Sequence, residues 1–149
     1  MEIQLSGSNT IKAPRQTVFD RLTSPDFLAK SLPDSEDVRV LDDSTVEGKV
    51  KVRVAVVSST LKVRLTVSSK LPTERATLQV DGSGSGSVLR ITSNFALAGD
   101  SPTRMDWTAV ADITGVMAGL GSTLLKGFAT KKVAEIFSGI TTAIERSSE

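Results

Sequence analysis

The stretch VEGKVKVRVAVVSSTLKVRLTV, residues 46–67, decides the fold class of this chain. Aliphatic side chains alternate with charged ones on both sides of a short interruption at residues 55–58. In a β-strand, this alternation puts the apolar side chains on one face and the charged side chains on the other. The stretch therefore predicts two consecutive antiparallel strands with one buried and one solvated face.

The same alternation continues toward the C-terminus. Apolar residues recur at every second position in residues 76–80, 89–97 and 105–113, and Pro72 marks a turn before the first of these runs. Residues 2–11 alternate more loosely and predict an opening strand. With a long antiparallel meander over residues 37–114, the sheet is expected to hold about six or seven strands.

Helices are predicted on both sides of the meander. Pro14 suits the first turn of a helix over residues 14–22, and Thr23-Ser24-Pro25-Asp26 predicts a second helix over residues 25–32 that ends at Pro33-Asp34. Residues 116–146 predict one long C-terminal helix. Its apolar face is expected to consist of Met117, Leu120, Leu124, Phe128, Ile136, Ile140 and Ile144.

Four glycines interrupt this long helical pattern, although each costs ~1 kcal/mol relative to alanine. They are Gly119, Gly121, Gly127 and Gly139. Close approach of the helix backbone to the sheet is the favoured explanation, and room left for a ligand is the alternative.

The long helix is expected to cover the apolar face of the sheet, giving a single α+β domain over residues 1–149. Aromatic residues make up only 4% of the chain, and many inward positions carry Ala, Ser or Val. We therefore hypothesise a large apolar pocket between sheet and helix, with a solid core as the alternative. The residues expected to line it are Leu89, Ile91, Phe95, Met105, Trp107, Ala109, Met117, Leu120, Leu124 and Phe128.

Composition excludes most catalytic chemistry. The chain has no cysteine, histidine or tyrosine, so it cannot build a Ser-His-Asp triad, a cysteine nucleophile or a thiolate or imidazole metal site. Carboxylate catalysis and oxygen-ligand metal binding remain open. A net charge of +1 predicts no nucleic-acid partner. Without a signal peptide or an apolar membrane span, the chain is predicted to be cytoplasmic, with any membrane contact peripheral.

Three polar segments are candidates for binding. The glycine-rich run at residues 81–87 lies between predicted strands and opens no helix, so it predicts a hairpin rather than a phosphate loop. The acidic residues Asp34, Glu36, Asp37, Asp42 and Asp43 lack the spacing of a calcium loop and predict a solvated turn. A basic stripe on two neighbouring strands is an ordinary solvent face or a docking patch for an acidic partner or anionic headgroups. It consists of Lys49, Lys51, Arg53, Lys62 and Arg64.

The last strand carries the lone tryptophan. Trp107 is predicted to face inward, as a core anchor or as a pocket wall, while Asp106 and Asp112 should point outward. Ser93 is the one obvious polar candidate on the inward list, so catalysis in the pocket is not expected.

The order of elements resembles the START-like (helix-grip) superfamily and, within it, the family of the carbon monoxide dehydrogenase G subunit. The family often has Pro-Gly-Cys-Glu at residues 33–36 and Gly-Pro at residues 55–56, where this chain differs. The resemblance runs from Leu5 to Ile144, with landmarks at Ala13-Pro14-Arg15, Ser24-Pro25-Asp26, Leu28-Ala29, Leu32-Pro33 with Glu36, Val50-Lys51-Val52, Val57-Ser58, Arg104-Met105-Asp106-Trp107-Thr108-Ala109, Gly115 and Leu120-Gly121-Ser122.

This resemblance implies a non-catalytic accessory protein without a cofactor. Its implied role is to assist maturation of a molybdenum-containing dehydrogenase, or its recruitment to the inner membrane face. The fold implies an apolar ligand such as a lipid or a quinone. A small-molecule enzyme of the polyketide cyclase type and a scaffold with a filled core are the alternatives.

Overall fold

Seven antiparallel strands form one sheet in the computed structural model, which describes residues 1–31 and 34–147. The strand order is β1-β7-β6-β5-β4-β3-β2, so β1 and β2 are the edges. Every pair apart from β1–β7 is joined along the chain as a meander, as the alternating sequence predicts. The strands are β1 (Glu2–Ile11), β2 (Ser35–Asp42), β3 (Thr45–Val54), β4 (Val57–Leu71), β5 (Arg75–Gly84), β6 (Ser87–Gly99) and β7 (Thr103–Gly115).

Two short helices connect β1 to β2. They are α1 (Arg15–Leu22) and α2 (Pro25–Ser31). The predicted hydroxyl cap of α2 is present, because the Phe27 amide donates to the Ser24 hydroxyl over 3.3 Å. Leu32 and Pro33, where α2 is expected to end, lie outside the described residues.

The predicted long C-terminal helix is confirmed, but the prediction that it runs continuously from residue 116 is wrong. A 3₁₀ helix (Val116–Leu120) precedes α3 (Ser122–Ser147). Gly115 and Gly121 flank the 3₁₀ helix, each with a φ of 90°, a backbone conformation that interrupts a right-handed helix. The helical phase of α3 is therefore set after Gly121, independently of Met117.

The predicted close approach of the helical glycines to the sheet is also wrong. A side chain at Gly119, Gly127 or Gly139 would meet no atom within 4 Å outside the local backbone. The close approach occurs instead on β1, where the Trp107 indole lies over Gly7. A Cβ on Gly7 would be 2.6 Å from Cζ2 of Trp107.

The core is richest in aromatic side chains at one end of the sheet, called here the aromatic end. Trp107 packs on Phe137 of α3 with ring centroids 4.9 Å apart, and the ring centroids of Phe19 and Phe95 are 6.5 Å apart. The Trp107 indole also donates to the Asn9 side chain over 3.1 Å. The aromatic end is defined by Ile11, Val18, Phe19, Leu22, Phe95, Met105, Trp107, Phe137, Ile140 and Ile144. These contacts hold the second half of α3 on the sheet.

The glycine-rich run forms a tight hairpin between β5 and β6, as predicted, with Gly84 paired to Ser87. Asp106 and Asp112 point outward, also as predicted. No helix in residues 1–31 and 34–147 combines the length and apolar character that a membrane crossing requires.

Substitution of Gly7 tests how the indole packs. We expect Gly7→Ala to destabilise the protein by about 1–3 kcal/mol, because the added methyl group forces the Trp107 ring off its site. Gly139→Ala is the matched control and should stabilise the fold by about 0.5–1 kcal/mol, since it lies in an open stretch of α3. Urea unfolding measures both changes. Equal stability of Gly7→Ala and the unmodified protein would contradict the packing described.

Candidate functional site

A cavity of about 230 Å³ lies between α3 and the concave face of the sheet, next to the aromatic end. The cavity is smaller than the large pocket that the sequence predicts, because ligand pockets usually measure about 300–1,000 Å³. Engineered apolar cavities of about 150 Å³ accept benzene, so this volume suits a ring or a short chain segment. Its walls come from β1, β3–β7, the 3₁₀ helix and α3. The lining residues are Ile3, Asp34, Val50, Lys51, Val52, Leu61, Val63, Leu65, Val80, Leu89, Ile91, Ala111, Ile113, Met117, Leu125, Phe128, Ala129, Lys132, Val133 and Ile136.

The cavity exists because the inward side chains here are short. Val50, Val52, Val80 and Ile91 point toward α3 and are nevertheless only half-buried. In the aromatic end, the Trp107 ring reaches Phe137 of α3, and Phe95 is buried against Phe19. Aliphatic side chains do not fill the gap between sheet and helix that an aromatic ring would fill.

One side of the cavity is polar, and its central group is Lys132. The Lys132 ammonium donates to the carboxylates of Asp34 over 3.3 Å and Glu135 over 3.2 Å, and it lies 5.8 Å from the ring centroid of Phe128. Lys51 also borders the cavity, but its side chain is exposed on the outer face of β3, where its ammonium pairs with Glu36 at 3.6 Å. The cavity is thus an apolar space with its charged groups gathered at one side.

The ion pairs keep Lys132 charged. The hydrogen bond to Glu135 raises the pKa of the Lys132 ammonium above its usual value, partial desolvation opposes this, and the bond to Asp34 adds to the rise. Lys132 is therefore fully protonated at neutral pH and can donate a hydrogen bond, but it cannot act as a general base.

Four of the ten residues predicted to line a pocket do line this cavity: Leu89, Ile91, Met117 and Phe128. Phe95, Met105 and Trp107 lie in the aromatic end instead, because large rings fill space where they lie. Ala109 is buried but is not among the lining residues. Leu120 is half-buried and borders a surface groove between Ala55 and Leu124.

The prediction that Leu124 lines the pocket is wrong, since its side chain is 44% exposed. That prediction extends a four-residue spacing back from Phe128, and in a helix of 3.6 residues per turn each such step drifts by about 40° around the axis. Leu125 therefore takes the place of Leu124, while Phe128 and Ile136 face the cavity as predicted. The lining face of α3 consists of Leu125, Phe128, Ala129, Lys132, Val133 and Ile136. The spacing of Leu125, Ala129 and Val133 is a usable signal for this face, but no sequence pattern places Lys132 in a pocket wall.

The acidic residues of the predicted turn mostly pair with lysines. Asp34 pairs with Lys132, Glu36 with Lys51, and Asp37 with Lys49 at 3.6 Å. The Asp42 carboxylate accepts a hydrogen bond from the Ser44 amide.

The basic stripe lies on the exposed face of β3 and β4, where Lys49 is directly opposite Lys62. Arg64 pairs with Glu47 at 3.0 Å, and this hydrogen bond lowers the pKa of the Glu47 carboxyl. Among the described residues, Arg53 and Lys62 have no ion-pair partner. The stripe is thus partly neutralised, and Arg53 and Lys62 carry its unpaired charge.

Comparison with solved structures identifies the fold as START-like. A conserved protein from Geobacillus kaustophilus is 21% identical, covers 99% of this chain and 98% of its own, and has a TM-score of 0.87. A START superfamily protein from Mycobacterium smegmatis is 10% identical over 96% of this chain and 97% of its own, with a TM-score of 0.72. The Zhui aromatase/cyclase from a Streptomyces species is 13% identical over 100% of this chain and 97% of its own, with a TM-score of 0.67.

Sequence comparison gives the family. None of the curated proteins matches the chain. The profile of one protein family, described as the G subunit of carbon monoxide dehydrogenase (CoxG), matches residues 7–145, which include the sheet, the cavity lining of α3 and the aromatic end. The chain therefore belongs to the carbon monoxide dehydrogenase CoxG family.

Proposed function

We propose that this protein binds an apolar small molecule, a lipid or a quinone-like compound, in the cavity under α3. The observation that carries the proposal is the cavity itself, an aliphatic space of about 230 Å³ inside a fold that otherwise packs well. Empty space beside buried side chains forfeits dispersion contacts, so a bound apolar group would recover stabilising contacts there.

The polar side of the cavity indicates which head group the ligand carries. An ammonium group has three donors, and Lys132 directs two of them to Asp34 and Glu135. The remaining donor suits a neutral acceptor such as a quinone carbonyl. A carboxylate would add a third negative charge to the two already present, so a fatty acid fits less well. We infer that the ligand is apolar with one neutral, hydrogen-bond-accepting end.

Membership of the CoxG family supports a non-catalytic accessory role. We propose that the chain assists maturation or membrane recruitment of a molybdenum-containing dehydrogenase. The unpaired cations of the basic stripe, Lys62 and Arg53, offer a surface for an acidic partner of this kind.

A small-molecule enzyme of the polyketide cyclase type is the alternative, and one structure of similar fold is an aromatase/cyclase. Such catalysis requires an acid or base that reaches the ligand. The titratable lining groups here are Asp34, Lys51 and Lys132, all engaged in ion pairs, and Ser93 is not among the lining residues. A scaffold with a filled core is disfavoured by the cavity.

Two alanines on β7 test whether the cavity holds a ligand. Ala111 lines the cavity and Ala109 does not, although both are buried and point inward. We expect Ala111→Leu to fold with little loss of stability and to lose its bound molecule in native mass spectrometry. Ala109→Leu should cost about 1–3 kcal/mol, because no comparable space receives its methyl groups. Equal ligand occupancy in the unmodified protein and Ala111→Leu would refute the cavity as the binding site.

The head-group inference is tested with two neighbouring lysines. We expect a short-chain benzoquinone to bind more tightly than decanoate, as measured by isothermal titration calorimetry. Lys132→Met should weaken quinone binding roughly tenfold, the effect of one charge-assisted hydrogen bond. Lys131→Met is the control, because Lys131 is exposed and does not line the cavity. Tighter binding of decanoate than of the quinone would contradict the inference.

Co-purification tests the proposed partner. When the tagged chain is isolated from cells that produce a molybdenum-containing dehydrogenase, we expect molybdenum to be retained, as measured by elemental mass spectrometry. Lys62→Glu should reduce the retained metal severalfold, whereas Lys70→Glu, an exposed lysine at the far end of β4, should not. Equal retention by both variants would exclude the basic stripe as the docking surface.

A further inference from the structure

Three chain connections converge at the end of the sheet where α3 begins. The β3–β4 hairpin turns at Ala55 and Val56, and a groove separates Ala55 from Leu124 of α3. The β5–β6 hairpin reaches the same region, because the Val116 amide donates to the Gly86 carbonyl over 3.0 Å. We call this region the loop end. It comprises residues 53–57, 84–88, 115–124 and the first turns of α3.

Exposed aliphatic side chains concentrate at the loop end. Val56 is 93% exposed at the hairpin tip, and Val88, Val116 and Leu124 are also exposed. At the opposite end of the sheet, Val40, Leu41 and Leu71 are exposed to a smaller degree than Val56. One exposed valine is ordinary on a protein surface, so it is the presence of four exposed aliphatic side chains at the loop end that suits an apolar partner outside the chain.

The charges at the groove have one sign, whereas Lys49, Lys51 and Arg64 farther along β3 and β4 are paired with carboxylates. Residues 48–73, which include the β3–β4 hairpin, contain six lysines and arginines and no acidic residue. Residues 116–134, which include the 3₁₀ helix and the first half of α3, contain three lysines and no acidic residue. Arg53 and Lys131 border the groove itself. The loop end thus combines projecting aliphatic side chains with basic side chains at its groove.

We propose that the loop end docks on a membrane surface that carries anionic headgroups, with Val56 and Leu124 inserted among the lipids. Projecting aliphatic side chains on separate connections penetrate a fluid interface, and lysines and arginines beside them meet the headgroups. Protein interfaces are usually centred on an aromatic or arginine anchor in a desolvated pocket. The loop end has no aromatic residue among its exposed side chains, and its arginine, Arg53, is exposed to solvent.

Docking in this orientation connects the bilayer to the cavity. Phe128 lines both the groove at the loop end and the cavity under α3, so its side chain is part of the wall between the two spaces. In this orientation an apolar ligand could pass between the bilayer and the cavity, and this exchange rests on the proposed function. The docking itself does not, and the two are tested separately.

Flotation of the protein with lipid vesicles tests the docking. We expect binding to equimolar phosphatidylcholine and phosphatidylglycerol and little binding to phosphatidylcholine alone. Val56→Asp should reduce the binding constant about tenfold, because it removes one inserted side chain. Arg53→Gln and Lys131→Gln should each reduce it about fivefold at low salt. Leu71→Asp is the matched control, an exposed leucine at the opposite end whose substitution should have no effect.

Two further measurements separate docking from ligand binding. Val56→Asp should keep its bound molecule in native mass spectrometry, and Ala111→Leu should float with vesicles as the unmodified protein does. Unchanged flotation of Val56→Asp, or an equal loss with Leu71→Asp, would overturn the proposal. Absence of flotation combined with specific retention of an acidic protein would also overturn it, in favour of a protein-docking surface.

Discussion

The constraint on which the structure depends is that one helix must cover an apolar face seven strands wide. Neighbouring strands lie about 4.8 Å apart, so seven span roughly 29 Å, whereas a helix with its side chains is about 10–12 Å in diameter. The sheet must therefore curve around α3, and side-chain length decides whether the space between them is filled. At the aromatic end Trp107 and Phe137 fill it. Beyond Ile136, toward residue 125, the aliphatic side chains leave the cavity.

The two halves of α3 consequently have different roles. The second half is fixed by the indole, which packs on Phe137 and is held by Asn9, and by the fully buried Ile144. The first half covers the cavity and has the Lys132 ion pairs and the buried Leu125 as its main links to the rest of the chain. Binding under the first half is compatible with a stable fold because the second half does not need to move.

The sequence is sufficient to predict the sheet, because period-two alternation on β3 and β4 is a local property that burial on one face requires. It also locates the Ser24 cap and the β5–β6 hairpin. The phase of α3 is missed at Leu124 because a four-residue spacing drifts by about 40° per step around a helix of 3.6 residues per turn, which takes Leu124 off the face that holds Phe128 and Ile136. The Lys132–Asp34 pair joins residues 98 positions apart, and no local pattern specifies such a contact. Sequence reasoning places Trp107 and Phe95 in the pocket wall, but large side chains close a pocket and small ones open it.

A glycine in the first half of α3 affects how often that half unfolds locally. Gly127 lies in the half that covers the cavity and supports no tertiary contact, so it lowers the cost of local unfolding there. Amide hydrogens of residues 122–133 should therefore exchange with solvent through openings of that half alone, while those near Phe137 and Ile144 exchange only when the aromatic end comes apart. The same partial opening would admit a molecule to the cavity many times within the lifetime of one folded chain.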